Sequence, residues 1–211
     1  MSNRETSHPL LNIAAVAKST HALGPGTRAV IWVQGCRFHC PGCLAPEWIP
    51  FSPATRLTAK EVLEKLDMDI ITGMTFSGGE PMEQAGGLAT LARLARKKKD
   101  IDLICFTGYT YERLLKHPPN DSVPDLLAQV DVLIDGPFIQ SRRASVGLRG
   151  SSNQRVIFLS PRLKEYDFES GPREIEITIS DGEVGFIGIP LPSMMSAMDR
   201  VASAYGRSVS R

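Results

Sequence analysis

Three of the four cysteines in this chain fall within eight residues, in the run Cys36-Arg37-Phe38-His39-Cys40-Pro41-Gly42-Cys43. Thiolates brought this close repel one another unless a metal neutralises them, so the C-x₃-C-x₂-C spacing points to metal binding rather than a disulfide framework. Two kinds of site fit the residue types. A zinc knuckle would use Cys36, Cys40 and Cys43 with His39, but paired C-x-x-C arms are absent and His39 sits awkwardly beside Cys40. The other is a [4Fe–4S] cluster held by the three thiolates, which leaves one iron open to bind a substrate or cofactor. The spacing favours iron–sulfur over zinc. Cys105 lies apart, in the middle of a predicted strand, and reads as a small buried hydrophobe.

A second segment with chemical content is Thr75-Phe76-Ser77-Gly78-Gly79-Glu80-Pro81, a strand running into a glycine pair. The glycines let backbone groups come close to a ligand, and Glu80 adds a fixed acceptor, so an ammonium group is the natural partner. Alone such a turn is common; one strand downstream of the cysteine run, it is a strong signal.

Alternating strands and helices must position these residues. Leu11 to Val16 and Ala29 to Val33 are predicted strands around Gly24-Pro25-Gly26. Thr58 to Glu61 has the form of a capping box, and Val62, Leu63 and Leu66 continue it at helical spacing. Strands follow at Ile71 to Phe76, Ile101 to Phe106, Asp131 to Asp135 and Arg155 to Ser160. Between them, Leu88, Leu91 and Leu94 stripe a helix that closes on the basic run Arg96 to Lys99, with shorter helices at Tyr111 to Lys116 and Pro124 to Gln129. This alternation implies βαβ units and a parallel sheet, whose functional residues gather at the carboxyl ends of strands. Ser77 to Glu80, Thr107 to Tyr109 and Asp135 to Pro137 should then converge on one rim. Beyond them, Glu174 to Ile179 and Val184 to Ile189 predict a β-hairpin, and Met194, Met198, Val201 and Tyr205 a last helix whose stripe is core packing.

Composition bounds the partners. With 24 Lys plus Arg against 23 Asp plus Glu, the net charge of +1 gives no electrostatic case for nucleic acid or a membrane surface. No apolar run approaches the ~20 residues that span a bilayer, and the first 30 do not resemble a signal peptide, so a cytoplasmic protein with reduced thiols is expected. The 211 residues suit one domain, with a core over about residues 11–160 and an extension over 161–211.

Taken together, the motifs resemble the radical S-adenosylmethionine (SAM) superfamily, and within it the small activases that install a glycyl radical, above all those serving anaerobic ribonucleotide reductase. The resemblance rests on Gly24 to Gly26 with Arg28, Val33 to Cys36, Cys40 to Cys43, Pro46 to Trp48 and Ser77 to Pro81. Phe106 to Tyr109, Asp131 to Phe138 and Arg149 to Arg155 extend it, so that it covers residues 23–160.

The resemblance implies an α/β fold, a partial (open) TIM-type β/α barrel, with the C-terminal hairpin and helix added at an edge. It implies a [4Fe–4S] cluster on Cys36, Cys40 and Cys43. SAM would chelate the open iron, with Ser77, Gly78, Gly79 and Glu80 holding its amino end and Gly42, Cys43 and Leu44 near its adenine or sulfonium. Thr107 and Asp135 would touch SAM or position the target, a turn hydroxyl and a strand-end cap being the plainer roles. One electron, from a flavodoxin- or ferredoxin-type donor, would cleave SAM to a 5′-deoxyadenosyl radical that takes a hydrogen from a glycine on a partner protein. Arg149 to Arg155 would face that partner or simply form a turn, and Trp48 would pack under the cysteine loop.

The chain departs from that pattern at Leu23, where many relatives carry Asp, and at Leu44-Ala45, where an aromatic or His followed by Asn is common. Residues 161–211 lie beyond the resemblance. They leave open a radical SAM enzyme acting on a small molecule or peptide recognised by this extension, and a non-enzymatic zinc- or cluster-stabilised binding module.

Overall fold

The computed structural model describes residues 9–180, 183–191, 193–197 and 200. Strands β1 (Leu11–Thr20), β2 (Arg28–Val33), β3 (Thr55–Leu57), β4 (Gly73–Gly78), β5 (Asp102–Phe106), β6 (Val132–Asp135) and β7 (Arg155–Phe158) form one seven-stranded sheet, in the order β3-β1-β2-β4-β5-β6-β7. The sheet is mixed α/β in character and does not close, since β3 and β7 remain its edges.

Only the centre meets the expectation of a parallel sheet. Strands β2, β4, β5 and β6 run parallel, whereas β1 pairs antiparallel with both β2 and β3, and β7 antiparallel with β6. The reason lies in the connections. A short turn joins β1 to β2, and the path from β6 to β7 carries only one three-residue 3₁₀ turn, so neither has the helical crossover that a parallel return requires. β3 has no apolar run to mark it in the sequence.

Helices α1 (Ala59–Glu64), α2 (Ala85–Lys98), α3 (Tyr111–Lys116) and α4 (Val123–Leu127) complete the central units. Thr58 caps α1 as expected: its hydroxyl accepts from the Glu61 amide while the Glu61 carboxylate accepts from the Thr58 amide. Helix α2 ends on Arg96, Lys97 and Lys98, cations that suit the negative pole of its dipole.

Side chains alternate across the sheet. Ile31 and Val33 of β2, Met74 and Phe76 of β4, Leu103 and Cys105 of β5 and Leu133 of β6 pack with Val62, Leu88, Leu91 and Leu126 of the helices. Each fully buried leucine contributes about 2 kcal/mol by leaving water. The opposite face is covered differently. Ile104, Val132 and Ile134 pack there on Leu148 and Phe168, while Val30 and Trp32 meet Leu23, Ile187 and Ile189. Both faces are therefore buried, which is why the central strands read as unbroken apolar runs. Among the described residues no helix is long and apolar enough to cross a membrane.

Strands β8 (Glu176–Ser180) and β9 (Glu183–Ile187) pair antiparallel as a separate two-stranded sheet, the expected hairpin. Of the expected last helix, residues 193–197 and 200 fall within the description and are helical; Met198, Val201 and Tyr205 lie outside it.

Arg28 is the largest fully buried side chain among the described residues. Its Nε donates to Thr75 Oγ1 at 2.8 Å, one terminal nitrogen to the Met74 carbonyl at 2.7 Å, and the other to Asp102 at 2.6 Å and the Pro25 carbonyl at 3.1 Å. Thr75 in turn donates to the Leu23 carbonyl, so the Gly24–Gly26 turn is pinned beneath the inner face. A buried guanidinium without an anion is costly. Asp102→Ala should therefore lower unfolding free energy by about 3 kcal/mol, read as a reduced urea midpoint; an unchanged midpoint would mean the carbonyls alone satisfy Arg28.

Candidate iron–sulfur and ligand site

The cysteine loop leaves β2 and is closed at its base by backbone pairing. The Gly35 amide donates to the Trp48 carbonyl and the Cys36 amide to the Ile49 carbonyl, each at 2.9 Å. Gln34 adds side-chain bonds to the carbonyls of Glu47 and Pro50. The Trp48 ring lies 5.9 Å from that of Trp32, and both line the cavity that the cysteines border. Within the loop a turn brings the Cys43 amide to the Cys40 carbonyl. At its tip Gly42 has φ +71°, and a Cβ there would meet Gln140 at 2.8 Å. Arg143 donates to the Gly42 carbonyl at 3.3 Å.

Cys36, Cys40 and Cys43 all line one cavity of about 230 Å³. Burial pushes the Cys36 thiol up to about 11, helped by the negative charges of Glu80, Cys40 and Cys43. Cys43 is raised for the same leading reason. Three half-buried sulfurs face one cavity, and at Cys36 and Cys43 burial opposes the thiolate, so a cation between them would favour the charged state. Among the described residues no three His, Cys, Asp or Glu side chains are drawn together as a ready site for a metal ion. His39 turns its Nδ1 to the Arg37 carbonyl.

The strand-end segment approaches this loop directly. The Gly79 amide donates to the Val33 carbonyl at 2.7 Å and the Glu80 amide to the Gly35 carbonyl at 2.8 Å, one residue from Cys36. Side chains at Gly78 and Gly79 are excluded, because their Cβ atoms would run into the backbone of Val33 and Gly35. Ser77, Gly78, Gly79 and Glu80 line the same cavity as the cysteines.

Glu80 is fully buried, and its carboxylate accepts from Thr107 Oγ1 and the Gly108 amide, both at 2.8 Å, and from the Met82 amide at 2.9 Å. Both oxygens are thus engaged by the protein, leaving part of their acceptor capacity free. Thr107 lines the cavity and reaches it partly through Glu80. Asp135 is placed elsewhere. It is buried outside the cavity lining, ion-paired to Arg155, which continues to Glu112, and accepts from the Tyr111 amide at 2.7 Å. Gly42 is likewise outside the lining, whereas Leu44 is in it.

The rim expected from the strand ends is present: Glu80 joins Thr107 and Gly108, and the Gly136 amide donates to the Tyr109 carbonyl. The segment Arg149 to Arg155 is organised as a turn. The Gln154 side-chain oxygen accepts from the amides of Gly150 and Ser151, and its nitrogen donates to the Gly136 carbonyl. Residues missed from the sequence are Phe38, whose ring meets Tyr109 edge-on at 4.8 Å, and the apolar lining from Phe138, Phe186, Ile189 and Pro190. Phe38 stood inside the cysteine run and Phe138 at the end of the Asp131 to Phe138 stretch, so both could have been suspected; Phe186, Ile189 and Pro190 carry no local signal.

Comparison with known proteins places this arrangement. Residues 22–157 match the family described as "4Fe-4S single cluster domain". The chain is 39% identical over 144 residues to the anaerobic ribonucleoside-triphosphate reductase-activating protein of Vibrio cholerae, a stretch covering 63% of this chain and 88% of that protein. It is 33% identical over 141 residues to the protein of the same name from Enterobacteria phage T4, covering 63% of this chain and 85% of the relative. With that of Escherichia coli it shares 32% over 142 residues, covering 63% and 89%. By this coverage and identity the chain belongs to the single-cluster iron–sulfur family of reductase-activating proteins.

Burial raises the Glu80 carboxyl from 4.5 to about 7 in the ligand-free protein. Below pH 4.5 it is neutral whether folded or unfolded; above about 7 it is charged in both, with its desolvation cost present in full. Its contribution should therefore make the metal-free protein less stable as pH rises from 4.5 to 7. Denaturant midpoints across that window should fall less steeply in Glu80→Gln than in the wild type.

Proposed function

We propose that this chain activates a glycyl-radical protein, an anaerobic ribonucleotide reductase, through a [4Fe–4S] cluster and SAM held in the cavity just described. The observation that carries the reading is that Cys36, Cys40, Cys43 and the Gly78–Glu80 turn line one cavity and are tied together at Gly35. The names of its relatives support the choice of partner.

When bound, a reduced cluster supplies the electron that cleaves the SAM sulfonium, the source of a radical able to take hydrogen from glycine. The remaining requirements fall on the chain's own residues. Cys36, Cys40 and Cys43 hold the cluster as thiolates, their charge offset by iron. Ser77, Gly78 and Gly79 bring backbone close to the amino end of SAM without a side chain in the way, and Glu80 offers its remaining acceptor capacity. Thr107 keeps the Glu80 carboxylate oriented, while Leu44 lies beside the adenine or sulfonium. Asp135, through Arg155 and Tyr111, holds the neighbouring rim. The apolar lining excludes water from a reactive intermediate.

In this reading the sheet is the incomplete wall of an open β/α barrel, the chain is one domain working in the cytoplasm, and a flavodoxin- or ferredoxin-type protein delivers the electron. Neither nucleic acid nor membrane takes part. A second reading, with a small molecule or peptide as substrate, is favoured by one observation: the extension beyond the matched region lines the cavity.

The test is anaerobic mixing of the reduced, iron-loaded protein with SAM and an anaerobic ribonucleotide reductase. A glycine-centred doublet in electron paramagnetic resonance is expected. SAM cleavage without that doublet, given a competent reductase, selects the second reading, and binding of one colourless zinc without cleavage defeats both. Cys36→Ala, Cys40→Ala and Cys43→Ala should each lose the brown chromophore and the doublet, whereas Cys105→Ala should retain them.

A further inference from the structure

One wall of the cavity comes from residues outside the family match at 22–157. Phe186, Gly188, Ile189 and Pro190, at the end of β9 and just beyond it, line the same space as Cys36, Cys43 and Glu80. The wall is built in. Ile187 and Ile189 pack with Leu23, Trp32 and Phe106 on the inner face of the sheet. Glu176 of β8 accepts from the His21 amide at 2.6 Å, two residues from Leu23.

Arg173 fastens it further. Its Nε donates to the Gly147 carbonyl at 2.8 Å, one terminal nitrogen to the Arg149 carbonyl at 2.5 Å, and the other to the Ile189 carbonyl at 3.3 Å. One guanidinium thus joins the hairpin's exit to the segment that carries Gly150 and Gln154, both of which also line the cavity.

The chemistry of the lining is divided. The cysteine loop and the Gly78–Glu80 rim offer sulfur, backbone polar groups and a carboxylate, whereas Phe186, Ile189 and Pro190 offer an apolar surface without charge. A ligand with an amino-acid end and a flat heteroaromatic end matches that division, its polar groups on one side and its base against the apolar wall.

Resting on the function proposed above, we infer that the C-terminal hairpin is a specificity-determining part of the site: Phe186, Ile189 and Pro190 form the surface against which the adenine-nucleoside end of SAM packs. Arg173 is the positioning residue that holds this surface. The hairpin thereby adds to the grip on SAM that the matched core provides.

The test is SAM binding to the iron-reconstituted protein by anaerobic calorimetry without reductant, with iron content measured on the same samples. Phe186 and Ile189 are half-buried, so their truncation is compatible with folding. Phe186→Ala combined with Ile189→Ala should raise the SAM Kd about ten-fold at unchanged iron content, the effect of losing part of two apolar contacts. Phe186→Leu should restore most of the affinity. Arg173→Gln should raise the apparent KM for SAM more than it lowers kcat. A double variant with full iron and a Kd within about two-fold of a SAM-binding wild type overturns the inference while leaving the proposed function standing. A fully iron-loaded wild type that does not bind SAM overturns both.

Discussion

A carboxylate removed from water must be given donors, and Glu80 receives three, from Thr107, Gly108 and Met82. These donors lie at the end of β5 and in the turn leading to α2, while the Glu80 amide is committed to Gly35 in the cysteine loop. One buried residue therefore sets the spacing between two strand ends and the cysteine loop. The glycines before it make this possible, because only backbone without side chains can lie against Val33 and Gly35 so closely. Around this junction aromatic pairs gather: Trp32 with Trp48, and Phe38 of the cysteine loop with Tyr109.

The central elements were legible because local chemistry and tertiary environment agree. Strands buried on both faces gave continuous apolar runs, and the Thr58–Glu61 cap announced α1 before any packing was known. The antiparallel directions of β1 and β7 were not legible, since strand direction follows from connection length and packing rather than from the composition of the strand. β3 was missed because three residues, Thr55 to Leu57, carry too little pattern to register.

The site divides along similar lines. Cysteines and glycines advertise themselves by type and spacing, so the loop and the rim could be read in one dimension. Asp135 could not be placed that way: its position at a strand end suits a ligand-facing carboxylate as well as the Arg155 partner it turns out to be. The apolar lining from Phe186 to Pro190 was hidden for the opposite reason. Such residues are ordinary in a hairpin, and only the folding of the extension back across the sheet brings them to the cysteines.

Cys105 is fully buried among Phe76, Leu91 and Leu133 on the helix-covered face of the sheet, whereas the loop cysteines border a cavity on the other side. The sheet thus acts as a partition between two thiol populations. An oxidant that enters the cavity meets Cys36, Cys40 and Cys43, and any disulfide it forms within this chain joins them only with one another. No oxidative bridge can form from that loop into the core while the sheet stands. Thiol oxidation inside the cavity therefore leaves the buried Cys105 of the core untouched.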